Sequence, residues 1–125
     1  MIVDTNGLSA WWLNEPAFIS HIVDAEQLCI PVPALAEFLF GIHKSRFRER
    51  MTAWLDEAIA SITILPADEH TARCYAGIRL QLETAGTPIP MNDLWIAAIA
   101  RQHKLPVLSR DTHFDKVPNL TRIGW

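Results

Sequence analysis

The sequence contains few of the features that mark disulfide-bonded, zinc-binding or membrane-spanning proteins. It has only two cysteines, Cys29 and Cys74, which lie far apart and form no CxxC motif. Two core thiols in a reducing compartment are the better interpretation, and a disulfide between them stays open. The five histidines show neither HExxH nor another metal-ligand spacing. No apolar run approaches the length of a membrane span, so we predict no membrane association.

The first residues do not have the pattern of a signal peptide, and positive charge is not in surplus. Asp4 interrupts the apolar start and no basic segment precedes it, so we expect no signal peptide and a cytoplasmic protein. The formal net charge of −3 argues mildly against a large nucleic-acid-binding surface. This argument weakens if acids bind a metal, because the 14 acids less four ligands would nearly balance the 11 lysines and arginines.

The hydrophobic pattern predicts one α/β domain over residues 1–125. Half of the residues are hydrophobic and one fifth are charged, which is typical of a globular protein with a sizeable core. Short apolar segments typical of strands alternate with longer segments of helical periodicity. Such alternation favours a mainly parallel sheet covered by helices, and no internal repeat or linker interrupts it.

The segment Met91–Ala100 organises the rest of the chain. Its seven consecutive apolar residues, 94–100, predict a helix that is buried on most faces. Asn92 is the predicted N-cap, which places Asp93 in the first turn, where the helix dipole favours a negative charge. A rigid core helix is a good support for a metal-binding carboxylate. The alternative is that Asp93 only complements the dipole.

Two further acids follow predicted strands. The start of the chain and residues 106–109 are predicted strands. Asp4 and Asp111 therefore lie at or just past carboxyl ends, where open α/β sheets bind ligands. Thr5 and Asn6 are predicted to supply capping groups for the helix that follows. The alternative for Asp4 is a role as a helix cap only.

Glu37 is the fourth acid of interest, because it is the only acid in a predicted helix over residues 34–43. The alternative for Glu37 is a solvated position on the outer face of that helix. The segment Lys44–Arg50 holds four basic residues and is either a solvated face or, around Phe47, a contact for a phosphate backbone. Arg110 is a second candidate for such a contact.

Four acids can meet at one edge of such a sheet, namely Asp4, Glu37, Asp93 and Asp111. Carboxylates about 4 Å apart repel by about 4 kcal/mol per pair at an effective dielectric of about 20, so such a cluster must take up protons or bind a cation. Oxygen ligands with no nearby cysteine or histidine suit Mg²⁺ or Mn²⁺. A metal there favours attack of water on a phosphodiester, because it lowers the pKa of water and neutralises developing charge.

The order and spacing of four motifs resemble PIN domains, specifically the VapC-type ribonuclease toxins of bacterial toxin–antitoxin pairs. The motifs are Asp4-Thr5-Asn6, Ala36-Glu37-Phe38-Leu39-Phe40-Gly41-Ile42, Asn92-Asp93-Leu94-Trp95-Ile96-Ala97-Ala98 and Ser109-Arg110-Asp111-Thr112-His113-Phe114. The resemblance covers essentially the whole chain and implies a three-layer α/β/α fold with a central, mainly parallel sheet. It also implies Mg²⁺- or Mn²⁺-dependent cleavage of an RNA substrate, a homodimer and a small antitoxin that blocks the site.

Residue by residue, the resemblance implies that Asp4, Glu37, Asp93 and Asp111 are the catalytic acids. Our hypothesis is that Asp4, Asp93 and Asp111 hold the metal, partly through water. Glu37 would orient or deprotonate the attacking water, or help to hold a second metal.

The sequence departs from the family pattern at a few positions near these acids. Gly7 stands where the family usually has a larger apolar residue, which predicts a looser first helical turn, and Ser109 stands where the family often has threonine. Asp115 is a second acid near Asp111, and we prefer Asp111 because it follows the strand directly. His113 is predicted to be a surface histidine rather than a contact for RNA.

Other classes with acidic sites fit the sequence less well. A response-regulator receiver needs adjacent acids near the N-terminus and a phosphoacceptor aspartate near the middle, whereas this chain has a lone Asp4. A haloacid-dehalogenase-type phosphatase needs a second aspartate two residues after the first, where this chain has Asn6. The remaining alternative is a catalytically inert PIN scaffold that binds proteins, and a concentration of buried charge argues against it.

Overall fold

The computed structural model of the protein describes all 125 residues and has a five-stranded sheet at its centre. The strands are β1 (Ile2–Val3), β2 (Cys29–Pro31), β3 (Thr63–Leu65), β4 (Val107–Leu108) and β5 (Arg122–Ile123). Their order in the sheet is β3-β2-β1-β4-β5, and all four pairings are parallel. Every carboxyl end therefore points to the same edge of the sheet, as the alternating pattern predicts.

Six α-helices flank the sheet. They are α1 (Thr5–Trp12), α2 (Pro16–Ile22), α3 (Val32–Lys44), α4 (Arg48–Ile59), α5 (Glu69–Thr84) and α6 (Met91–His103), and a 3₁₀ helix follows β4 at Thr112–Lys116. None of these helices is both long enough and apolar enough to cross a membrane. Both cysteines are free thiols, with Cys29 buried in β2 and Cys74 half-buried on α5.

The hydrophobic core is divided into two clusters by the sheet. Alternate strand residues go to opposite clusters, so Ile2 and Val107 lie in one, and Val3 and Leu108 lie in the other. The first cluster packs mainly against α5 and α6, and the second against α1 to α4. The predicted three-layer α/β/α fold is therefore confirmed.

Helix α6 is the most deeply buried helix, as its apolar run predicts. Leu94 and the five residues from Ile96 to Ala100 are buried. Trp95 is half-buried and stacks on Tyr75 of α5, with ring centroids 4.2 Å apart. The helix is therefore packed on most sides and holds its first turn rigidly against the sheet.

The start of α1 differs from the prediction. The N-cap of α1 is Asp4, whose Oδ1 accepts the backbone N–H of Gly7 at 2.9 Å, rather than Thr5 or Asn6. The strand passes directly into the helix, so the residue at its end is also the capping residue. Asp4 therefore combines the two roles that the sequence left as alternatives, a strand-end acid and a helix cap.

Gly7 tightens the first turn of α1, whereas the sequence predicted a looser one. It is buried, and a Cβ at this position would lie 2.6 Å from Cγ1 of Val3 and 3.1 Å from Cε2 of Phe18. A glycine lets α1 approach β1 at the point where Asp4 receives its hydrogen bond. The close contact therefore belongs to the packing that positions Asp4.

Gly7→Ala is expected to lower the free energy of unfolding by about 1–3 kcal/mol, because the added methyl group overpacks a core that holds the branched side chain of Val3. Gly77→Ala is the matched control, since Gly77 lies inside α5 and its Cβ would meet nothing within 4 Å. This control should raise stability by about 0.5–1 kcal/mol. Urea unfolding of both variants tests the pair, and equal effects would contradict the packing argument.

Candidate active site

Three of the four predicted acids lie at the carboxyl edge of the sheet. β1 and β4 are paired in register, with Val3 opposite Leu108, so the residues that follow them also lie side by side. Asp4 follows β1, and Asp111 lies just past β4 as the N-cap of the 3₁₀ helix. Asp93 reaches the same edge from the first turn of α6. Neighbouring parallel strands and one buried helix thus bring these side chains together.

Asp4 is the buried member of the group, with only 3% of its surface exposed. Its Oδ1 accepts the Gly7 N–H, and its Oδ2 accepts the hydroxyl of Ser109, the residue that directly follows β4. Burial raises the pKa of Asp4 from 3.8 to about 6, although both hydrogen bonds act against this rise. The negative charges of Asp93 and Asp111 add to the increase.

Ser109 connects Asp4 to Asp111. Its side chain is buried, and its Oγ donates to Asp4 and accepts the backbone N–H of Asp111 at 2.9 Å. Asp111 in turn accepts the backbone N–H of His113 at 2.9 Å. These bonds hold the turn after β4 in one conformation and aim Asp111 at the cluster.

His113 is part of this cluster, which corrects the prediction of a surface histidine. Its Nδ1 lies 2.9 Å from Oδ2 of Asp93 and 2.8 Å from Oδ1 of Asp111, although 38% of its side chain is exposed. One ligand atom from each of these three residues lies within 4.8 Å of the others. The expectation of acids with no nearby histidine is therefore wrong for this edge.

The electrostatics of Asp93 reflect these neighbours. Partial burial is the largest cause of its raised pKa, and the negative charge of Asp111 acts in the same direction. The bond from His113 acts against both. Neither lysine nor arginine forms an ion pair with Asp4, Asp93 or Asp111, so this edge carries a surplus of negative charge.

Glu37 lies beside this group on α3, with its side chain exposed. Its Oε2 accepts the hydroxyl of Thr5 at 3.0 Å and the side-chain amide of Asn92. Asn92 was predicted as the N-cap of α6, but the helix begins at Met91, so the amide is free to reach across to Glu37. Glu37 is thereby tied to the first turns of the two helices that carry Asp4 and Asp93.

Asp115 and Arg110 have partners elsewhere. Arg122 binds Asp115 through two nitrogens, at 2.8 and 3.0 Å, and thereby lowers the pKa of this carboxyl. Of the two neighbouring acids, Asp111 therefore faces the cluster. Arg110 pairs with Glu15 and lies over the ring of Trp125, so this candidate for RNA binding is engaged within the chain.

The donor set at this edge fits a divalent cation. It combines the partly buried carboxylates of Asp93 and Asp111 with His113, next to the buried Asp4, and no lysine or arginine forms an ion pair with these acids. Carboxylate oxygens are the preferred ligands of Mg²⁺ and Mn²⁺, and imidazole is accepted by several transition metals. Burial and, to a smaller extent, mutual repulsion raise the pKa of Asp4 and Asp93, and a cation there would offset both effects.

Comparison with known proteins finds a matching family and similar relatives. Residues 1–120 match the family described as PIN domain. The chain is 35% identical over 92 residues to "Ribonuclease VapC5" of Mycobacterium tuberculosis, covering 71% of this chain and 67% of that protein. It is 32% identical over 123 residues to "VapC ribonuclease Y4jK" of Sinorhizobium fredii, covering 90% and 87%.

A solved structure extends the similarity to the fold. The crystal structure of DNA-bound VapBC from Salmonella typhimurium superposes with a TM-score of 0.88 at 26% identity, covering 99% of this chain and 96% of that chain. The family match spans nearly the whole sequence. The chain therefore belongs to the PIN domain family and, within it, to the VapC-type proteins.

Proposed function

We propose that the protein is an endoribonuclease toxin that hydrolyses RNA phosphodiester bonds with Mg²⁺ or Mn²⁺ and is neutralised by a cognate antitoxin. One observation supports this most strongly: Asp4, Asp93 and Asp111 converge on one sheet edge where no lysine or arginine pairs with them. The names of the two relatives describe ribonucleases, and the similar solved structure is of DNA-bound VapBC.

In this proposal Asp4, Asp93 and Asp111 hold the metal, partly through water. A bound divalent cation would lower the pKa of water and neutralise charge on the phosphate during attack. The chain's own contribution is to keep the carboxylates in place before RNA binds. Ser109 fixes Asp4 relative to Asp111, and the packed helix α6 fixes Asp93.

Glu37 is the proposed group that orients or deprotonates the attacking water. The hydroxyl of Thr5 and the amide of Asn92 both donate to its Oε2, which leaves Oε1 without a partner in the chain. An oriented carboxylate with one free oxygen, exposed at the rim of the cluster, suits a general base. A role in holding a second metal is the alternative use of the same oxygen.

The partners follow from the same proposal. RNA would approach the open sheet edge, and the exposed basic segment Lys44–Arg50 at the end of α3 is the candidate contact for its backbone. We also propose a cytoplasmic location, a homodimer and an antitoxin that covers the acidic edge. An inert scaffold fits less well, because a binding module has no need to bury a carboxylate with a raised pKa.

The direct test is cleavage of a mixed tRNA and rRNA pool by purified protein with Mg²⁺, with Mn²⁺ or with EDTA. We expect discrete RNA products with either metal, no products with EDTA, and recovery of cleavage when excess metal is added back. Cleavage that persists unchanged in EDTA would contradict a metal-dependent mechanism. Absence of cleavage under every condition, with intact RNA of all abundant classes in the pool, would argue for the inert scaffold.

A further inference from the structure

His113 has an unusual position for a hydrogen-bonding side chain, because one ring nitrogen faces two carboxylates. Its Nδ1 lies 2.9 Å from Asp93 and 2.8 Å from Asp111, but a directed hydrogen bond is made with Asp93 alone. An imidazole nitrogen carries at most one proton and cannot direct it at two acceptors at once. The close approach to Asp111 is therefore left without a straight hydrogen bond.

The same spacing is suited to ligands around one ion. Metal–ligand bonds of about 2.0–2.2 Å separate neighbouring donor atoms by about 3 Å. The distances from Nδ1 to the two carboxylate oxygens already have this length, and all three donor atoms belong to one compact group. The nitrogen and the two oxygens can therefore surround a cation with little rearrangement.

The backbone around His113 supports this arrangement. The side chain of Asp111 caps the 3₁₀ helix by accepting the N–H of His113, so the two ligand residues are held two positions apart on one turn. The hydroxyl oxygen of Ser109 accepts the backbone N–H of Asp111 and thereby fixes the start of that turn. His113 is also the only side chain that donates to Asp93 or makes an ion pair with it.

We propose that His113 is a ligand of the cation site, which it forms with Asp93 and Asp111. This inference rests on the proposed metal-dependent function and deepens it. A nitrogen ligand shifts the preference of a carboxylate site from Mg²⁺, which favours oxygen alone, toward transition metals that accept imidazole. The site would thus discriminate between Mn²⁺ and Mg²⁺ through a single side chain.

The experiment is electron spin-echo spectroscopy of Mn²⁺ bound to the protein without RNA, which detects coupling to a coordinated nitrogen. We expect nitrogen coupling in the wild type, its loss in His113→Gln, and its retention in His103→Gln, an exposed histidine at the far end of α6. Mn²⁺ titrations should show an affinity loss of about tenfold in His113→Gln, whereas Mg²⁺ affinity, measured by competition, should change by less than about threefold.

The outcomes separate this inference from the proposed function. Mn²⁺ that binds to the wild type without nitrogen coupling would overturn the role of His113 and leave the metal-dependent nuclease intact. Equal losses of Mn²⁺ and Mg²⁺ affinity in His113→Gln would also overturn it, because they would show that His113 only positions the carboxylates. A wild type that binds neither ion at millimolar concentration would refute the metal site itself and the inference with it.

Discussion

Asp93→Asn is expected to lower metal-dependent RNA cleavage by at least about 100-fold, because the amide removes a negative charge from the group that holds the cation. The substitution keeps the size of the side chain and an oxygen that accepts from His113. Asp93 is itself only half-buried and the buried residues of α6 are unchanged, so the fold should persist. The rate of product formation from a fixed RNA substrate at saturating Mg²⁺ measures the effect.

Asp115→Asn provides the matched control. Asp115 lies only four positions after Asp111, but its carboxylate binds Arg122 rather than the acidic cluster. Its replacement should leave the cleavage rate within about twofold of the wild type, as is usual for surface substitutions. Comparable losses in Asp93→Asn and Asp115→Asn would contradict the placement of the catalytic edge at Asp93.

The second large effect concerns the stability of the metal-free protein. Asp4 has a pKa of about 6 in the folded state, compared with 3.8 for an unperturbed carboxyl. Between about pH 4 and pH 6 the folded chain therefore retains a proton that the unfolded chain loses. The free energy of unfolding must fall as the pH rises through this window, by about 2–3 kcal/mol from this carboxyl.

Asp4→Asn should remove this pH dependence, because the amide carries no charge to bury and still accepts the Gly7 N–H. In EDTA at pH 8 the variant should be more stable than the wild type by about 2–3 kcal/mol, and the difference should vanish near pH 4. Urea unfolding of both proteins across this range isolates Asp4, since the other titrating groups are shared. A variant that is less stable at pH 8 would contradict the account.

Metal addition should stabilise the wild type more than it stabilises Asp4→Asn. A cation that binds the folded state alone stabilises it, so Mg²⁺ or Mn²⁺ at pH 8 should raise the melting temperature of the wild type. The same addition should have a much smaller effect on Asp4→Asn. The stability lost by burying the charge of Asp4 would then serve the metal site rather than the fold, as is common where function needs clustered charge.

Much of the fold could be predicted because it depends on patterns along the chain. The apolar run at residues 94–100 predicts a buried helix, and short apolar segments predict strands whether or not their partners are known. The rule that ligands bind at carboxyl ends of parallel strands then predicts the shared edge of Asp4 and Asp111. The register of β1 with β4 agrees with this prediction.

The contacts between side chains could not be predicted in the same way. His113 was not predicted as a member of the cluster because its partner Asp93 is 20 positions away, whereas metal-binding histidine motifs such as HExxH are local. The spacing of Asp111 and His113 on one turn was the available signal. The contact of Asn92 with Glu37 spans 55 positions and depends on how α3 packs against α6.

Gly7 illustrates why a departure from a family pattern needs a structure. A glycine in the first turn of a helix normally suggests a flexible turn, because glycine has the greatest conformational freedom. The structure shows instead that a Cβ has no room beside Val3. Whether a small residue loosens a turn or permits a close approach depends on the residues that pack against it. The sequence alone does not identify those residues.

The central claim is that Asp4, Asp93 and Asp111 form one cation site on which RNA cleavage depends. The most direct measurement is anomalous diffraction from crystals of the wild type and of Asp93→Asn soaked in Mn²⁺. We expect an anomalous peak at the carboxyl edge of β1 and β4 in the wild type and no peak there in the variant. A wild-type crystal with Mn²⁺ bound only at other positions would contradict it.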